Sequence, residues 1–471
     1  MLDCYIMGTV LINECTRSMQ KTVNINNLYT SCPNIFSMKV LKDATVFVDN
    51  VLKKRDIGIE GEKIVKIEKN LHGDEIDCTG LVILPGAIDI HVHFRDFREK
   101  RKEDWFSGSR AAAKGGVTTV FDMVNNDPPI TTYERLMKKK RIAKKSVVNY
   151  GLYFGLGPGN LGDLNDVAPH VCGFKLHMCK TTGDLLLTDP VLQKKSFEAV
   201  KKTGKVIVVH AEDQKTLDMA EGIHKKRCDF LAHADSRPRL AESRAVAYAI
   251  ACAKETGAKT HLTHISTGLA LTQIRRAKQR DAMDITCDTT LTYMFFTRDN
   301  LEEMGAFCKM NPPVRTKEDL VSVWESIKYN IIDIISTDHA PHTIKEKEGE
   351  DFKTVPAGIP GVEMRLPLLL DAVNKNMLTL ETLVKTCCTN PARRFNLKGR
   401  GEIKEGNYAD LVAVNMDLRK DVKREEQVTK CGWSPYEGMS LKGWPIKTFV
   451  NGNLVYNFGK LYHNQGKDLF E

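Results

Sequence analysis

The sequence predicts an α/β protein, a closed (β/α)8 TIM-type barrel carrying a small β-sandwich module formed by both chain ends. Three observations lead there. The chain has 471 residues, more than one ordinary domain of about 100–200, and a barrel of about 250 leaves room for one smaller module. From about Ala87 onward, short apolar runs rich in β-formers alternate with longer helical stretches, as parallel strands joined by crossover helices require. Outside that region, apolar and polar residues alternate between Gly, Asn and Asp turns, which is hairpin chemistry.

The elements follow in order. Residues 1–37 show little periodicity and belong to neither pattern, so they are expected to be a dispensable N-terminal extension, with Met38 as the true start. Residues 38–84 and 400–471 supply the β module, and residues 85–399 the barrel. Eight strand-like runs are expected: Ala87–Phe94, Val117–Val124, Val148–Gly155, Val171–Met178, Val206–Glu212, Thr260–Ser266, Asp284–Thr290 and Ile332–His339. Helical patterns between them include Lys102–Lys114, Tyr133–Lys145, Pro190–Thr203, Arg239–Thr256, Ala270–Arg280 and Lys317–Tyr329.

Composition removes several classes of function. No apolar run approaches the roughly 20 residues that cross a bilayer, and the first residues lack a secretory signal, so a cytoplasmic protein without membrane contact is expected. Thirteen cysteines with no CxxC pair suit buried thiols in a reducing compartment. The net charge is +9, and its densest stretch is Lys138-Lys139-Lys140-Arg141 with Lys144 and Lys145. No aromatic residues are interleaved there, so it reads as a solvated helix face and not as a nucleic-acid site.

Barrel enzymes build their active sites at the C-terminal ends of the strands, so polar residues ending apolar strands are the candidates. The first run ends Asp89-Ile90-His91-Val92-His93, where alternation puts His91 and His93 on one face, close enough to share a metal. The fifth run presents His210, the sixth His264, and the eighth Asp338 followed by His339 and His342. Lys175 lies within the fourth, where a free ammonium is costly to bury unless paired or chemically altered. A lone histidine is commonly structural and a lone lysine can snorkel to water. Four imidazoles, one aspartate and one lysine at one barrel mouth make a site.

The motifs PGAIDIHVHFRD, FDMVNNDPP, GFKLHM, HAE, THLTHIS, NPPVR, STDHAPHT, GIPGVE and SPYEGMSLKG, in this order from about residue 40 to about 460, resemble the amidohydrolase superfamily and within it the type I dihydroorotase branch. That resemblance implies a hydrolase of cyclic amides in pyrimidine synthesis, with two zinc ions per subunit. His91, His93 and Asp338 would hold the first ion, His210 and His264 the second, and Lys175, carboxylated on its amine, would bridge them. Zinc would activate water, and Asp338 would carry its proton to the leaving nitrogen. Arg95, Asn125 and His342 would bind the substrate carboxylate, Asn311 the pyrimidine ring, and backbone groups at Ala357 and Gly358 would close over it. Thr181 and Thr182 would lie on a lid loop. The partner is a small-molecule substrate, and the resemblance leaves room for a homo-oligomer and for association with aspartate transcarbamoylase.

One departure concerns the segment after Arg95, where the usual Glu-Pro-Gly is replaced by Asp96-Phe97-Arg98 and a basic run follows. Another is His177, which by alternation shares the face of Lys175 and is a further ligand candidate. Two rival readings are a hydantoinase, dihydropyrimidinase or allantoinase acting on an uncharged ring, and a non-catalytic relative. Arg95 and Asn311 argue against the first and the complete ligand set against the second.

Overall fold

The protein is described by a computed structural model covering residues 38–180, 185–281 and 283–471. The expectations for residues 1–37 and for Thr181 and Thr182 lie outside the described residues.

The chain-end strands are β1 (Lys39–Val48), β2 (Val51–Glu60), β3 (Lys63–Glu68), β4 (Asp74–Asp77) and β5 (Val82–Pro85). The barrel follows as β6 (Ala87–Val92), β7 (Val117–Asp122), β8 (Asn149–Gly155) and β9 (Gly173–His177). It continues with β10 (Val206–His210), β11 (Thr260–Leu262), β12 (Ile285–Thr290) and β13 (Ile334–Ser336). The chain then returns to the first sheet with β14 (Leu411–Asp421), β15 (Ser440–Val450), β16 (Asn453–Asn457) and β17 (Lys460–Leu461).

Strands β6 to β13 pair in sequence order, and a parallel bridge between Val92 and His339 brings the two ends of the row together. Asp89 adds to the seam by accepting from the Thr337 hydroxyl at 2.6 Å. Nearly every barrel-strand residue is buried, as expected when helices cover one face and the strands curl over the other. The nine chain-end strands form one continuous sheet with a core of its own, including Leu41, Val46, Ile57, Ile83, Leu411 and Phe449.

Helix positions match the sequence best where caps are strong. Asp189 caps Pro190–Thr203, which ends at Gly204 with φ 70°, and Arg239–Thr256 ends at Gly257 with φ 67°. Six of the eight barrel strands stop earlier than the apolar pattern suggested, and three of them run into left-handed residues. His264 and Asp338 adopt φ of 44° and 46°, and beyond β6 Arg95 adopts 47°, so the backbone turns out of the ladder at three of the candidate site residues.

The helix Tyr133–Ala143 corrects the expected solvated basic face. Lys139 is completely buried in an ion pair of 2.7 Å with Asp122. Lys140 is also buried and lies 3.1 Å from Asp468. Leu136, Lys139, Lys140 and Ala143 form the stripe facing the barrel, three and four residues apart, while Lys138, Arg141, Lys144 and Lys145 are exposed. No described helix is long and apolar enough to cross a membrane. Ten described cysteines are free thiols, of which only Cys228 is exposed.

Candidate active site

Parallel strands bring the predicted residues to one end of the barrel, where a single cavity is lined by His91, His93, Lys175, His210, His264 and Asp338. His91 Nε2 and His93 Nε2 lie 3.2 and 3.0 Å from Asp338 Oδ1. The His264 ring centroid is 5.4 Å from that of His91 and 4.4 Å from that of His210. Donor atoms of His91, His264 and Asp338 fall within 4.8 Å of one another, a spacing that suits a shared ion.

The electrostatics suit a divalent cation. Burial holds His91 and His93 well below the ordinary imidazole range, reinforced by Lys175 at His91 and by Arg95 at His93. Burial does the same at His264, so these rings are neutral and have lone pairs to offer. Lys175 is buried and its amine has no hydrogen-bond partner among the described residues. Burial pushes that amine down and the Asp338 carboxyl up. An orphaned amine among imidazoles and a carboxylate is a poor arrangement for a free ammonium, whereas a carboxylated one would supply the missing anion. The donor set fits a metal centre of nitrogen and oxygen ligands.

A surrounding layer of carboxylates and hydroxyls orients the imidazoles, and the sequence reading did not identify it. Thr263 Oγ1 lies 2.7 Å from His91 Nδ1 and donates to Asp288, which also accepts from the His264 backbone N–H at 2.5 Å. Glu212 Oε2 lies 2.8 Å from His210 Nε2 and is clamped by the Arg237 guanidinium. Cys179, His210 and Glu212 form a second grouping of metal-binding type, but Arg237 already supplies its cation. Glu212 stood in the HAED motif, and its partner Arg237 lies 25 residues further on, beyond the reach of local pattern. Such partners fix ring orientation and ligand basicity.

The other wall of the cavity holds Arg95, Asn125, Asn311, Ala357 and Gly358. Arg95 is 2% exposed. Its Nε donates to the Pro341 carbonyl at 3.1 Å, and Nη2 lies 3.2 Å from His342 Nε2. Among the described residues no carboxylate comes within ion-pair distance of it, and Nη1 has no partner. His342 is buried behind Arg95, with Nε2 also 3.2 Å from the Ala357 carbonyl. Gly358 has φ 136°, and a Cβ there would meet the Ala340 carbonyl oxygen at 2.6 Å, so only glycine lets this segment lie against the site.

The departure after Arg95 has a structural form: Arg95, Asp96 and Phe97 have φ of 47°, 48° and 52°. The turn is held from both sides, because Asp96 accepts from Trp105 N at 2.9 Å and the Asn126 amide donates to the Arg95 carbonyl. His177 is buried and lines the same cavity, its ring 5.8 Å from that of His210. A larger depression of about 750 Å³ beside Tyr133, Phe154 and Leu186 contains none of these groups.

The chain is similar to known proteins at three levels: a family model, curated relatives and solved structures. The model of the amidohydrolase family matches residues 82–455. Among curated relatives, a dihydroorotase of Methanosarcina mazei is 34% identical over 91% of this chain and 96% of its own. An allantoinase of Rubrobacter xylanophilus is 34% identical over 86% and 91%. Among solved structures, the L-hydantoinase (dihydropyrimidinase) of Arthrobacter aurescens superposes with a TM-score of 0.87 at 29% identity, covering 91% of this chain and 98% of that one.

Proposed function

The chain belongs to the amidohydrolase family, and from that premise we propose that it is a dihydroorotase, interconverting (S)-dihydroorotate and N-carbamoyl-L-aspartate in pyrimidine synthesis. The observation that carries this reading is Arg95, a buried guanidinium lining the cavity with no carboxylate among the described residues within ion-pair distance. A substrate carboxylate would complete it in the bidentate geometry a guanidinium favours. Allantoin, hydantoin and dihydrouracil carry no such group. An allantoinase or hydantoinase activity, as the names of two of the similar proteins above would suggest, would leave that cation buried and unmatched.

Two zinc ions are proposed, held by His91, His93 and Asp338 on one side and His210 and His264 on the other, with carboxylated Lys175 between. When bound they would polarise the scissile ring carbonyl and lower the pKa of water. The remaining steps belong to this chain's own groups. Arg95 and Asn125 would fix the carboxylate end of the ring, with His342 supporting the Arg95 guanidinium from behind, Asn311 would contact its polar edge, and the backbone at Ala357 and Gly358 would cover it. Asp338 would take up the proton released by water and deliver it to the departing amide nitrogen. Free, mostly buried thiols support a reducing, cytoplasmic setting.

The reaction can be tested from the product side. Purified protein incubated with N-carbamoyl-L-aspartate at mildly acidic pH should close the ring to dihydroorotate, and absence of any ring closure by metal-replete protein would contradict the proposal.

A further inference from the structure

We infer that His177 is a substrate-contacting residue that reads the imide edge of the ring, the edge shared by carboxylated and uncharged cyclic substrates. This rests on the dihydroorotase reading of the site. His177 ends β9, two residues after Lys175, so both side chains point into the barrel. It is 4% exposed, and neither ring nitrogen hydrogen-bonds to any described residue. A buried imidazole left in that state costs free energy unless something that enters the site completes it. Of the other buried imidazoles of the barrel, His91 meets Thr263, His210 meets Glu212 and His261 meets Asp288, while His264 shares the unpartnered state of His177 but already has a role in the proposed metal set.

Position in the barrel decides which part of the ring His177 meets. Arg95 follows β6, and β9 lies three strands further round the eight-stranded row, close to the opposite wall. In dihydroorotate the carboxylate and the imide N–H sit at opposite ends of a six-membered ring. A substrate anchored through its carboxylate at Arg95 therefore turns the N–H and its two flanking carbonyls toward β9. A neutral imidazole carries one donor and one acceptor, matching an adjacent C=O and N–H. This places His177 beside the bond that is hydrolysed, and its partner is the substrate, not a metal ion.

The test compares His177→Phe and His177→Asn with wild type on dihydroorotate and dihydrouracil, with metal content and melting temperature measured on each protein. His177→Phe should lower kcat/KM by about tenfold, the value of one buried hydrogen bond, and by the same factor on both substrates. Metal content and melting temperature should stay at wild-type values, and His177→Asn, which keeps a donor and an acceptor, should recover part of the loss. Unchanged kinetics, loss of metal, or a loss confined to dihydroorotate would each overturn the inference. A wild-type protein inert toward dihydroorotate would remove the reading beneath it, and both would fall together.

Discussion

Lys139 and Asp122 form an ion pair of 2.7 Å in which neither side chain reaches solvent. The pair supports the site from behind. Asp122 accepts from the Phe94 N–H at 2.8 Å, just before Arg95, and Lys139 donates to Asn126 Oδ1 at 2.9 Å, just after Asn125. Removing one partner of a buried pair strands the other charge, which typically costs about 3–5 kcal/mol. Lys139→Met should therefore destabilise by that order in urea unfolding, and adding Asp122→Asn should recover much of the loss. A cost below about 1 kcal/mol, within the range of exposed pairs, would show that the contact contributes little.

The segment over the cavity gives a prediction about pH. Lys347 is 1% exposed and donates to the Pro356 and Gly358 carbonyls, each at 3.0 Å. Burial, then the nearby Lys309, pushes its ammonium from 10.5 down to about 7. Between those values the unfolded chain keeps a proton that the native one has released, so this group makes stability rise with pH across the window, by up to about 1.4 kcal/mol per unit. Lys347→Met should flatten the stability curve between about pH 7 and 10 relative to wild type. It should also raise KM for substrate, because the Ala357–Gly358 backbone loses its tether. Parallel stability curves for the two proteins would refute the assignment.

These two lysines also mark where the sequence was legible. The histidines could be found because each ends an apolar strand, and Pro190–Thr203 because an aspartate and a glycine bracket it. Lys139 could not, because its role depends on which face of the helix meets the barrel, and a run of lysines conceals that. The strand ends beyond Leu262 and Ser336 were overrun because the apolar pattern continues past the point where His264 and Asp338 turn to positive φ. A left-handed non-glycine residue leaves no local signature. Glu212 and Asp288 were passed over since a single buried carboxylate on a strand gains meaning only from partners distant in sequence.

The orphaned amine of Lys175 leads to a prediction about metal. Lys175→Ala should lose zinc and activity, and short carboxylic acids should restore part of both by filling the position of the carboxylated side chain. Metal content measured with and without added acid separates this from simple misfolding. A fully active enzyme whose intact mass corresponds to unmodified lysine would contradict it.

Under the proposed function Arg95 decides which ring is hydrolysed, and the most direct measurement is kcat/KM for dihydroorotate and for dihydrouracil in wild type and in Arg95→Met. Leaving a buried charge unmatched typically costs a few kcal/mol, so wild type should prefer dihydroorotate by roughly a hundredfold or more. Arg95→Met should erase most of that preference with zinc content unchanged, because the guanidinium hydrogen-bonds to Pro341 and His342 and to none of the imidazoles proposed to hold metal. A wild-type preference for dihydrouracil, hydantoin or allantoin, or full dihydroorotate activity in Arg95→Met, would contradict the account.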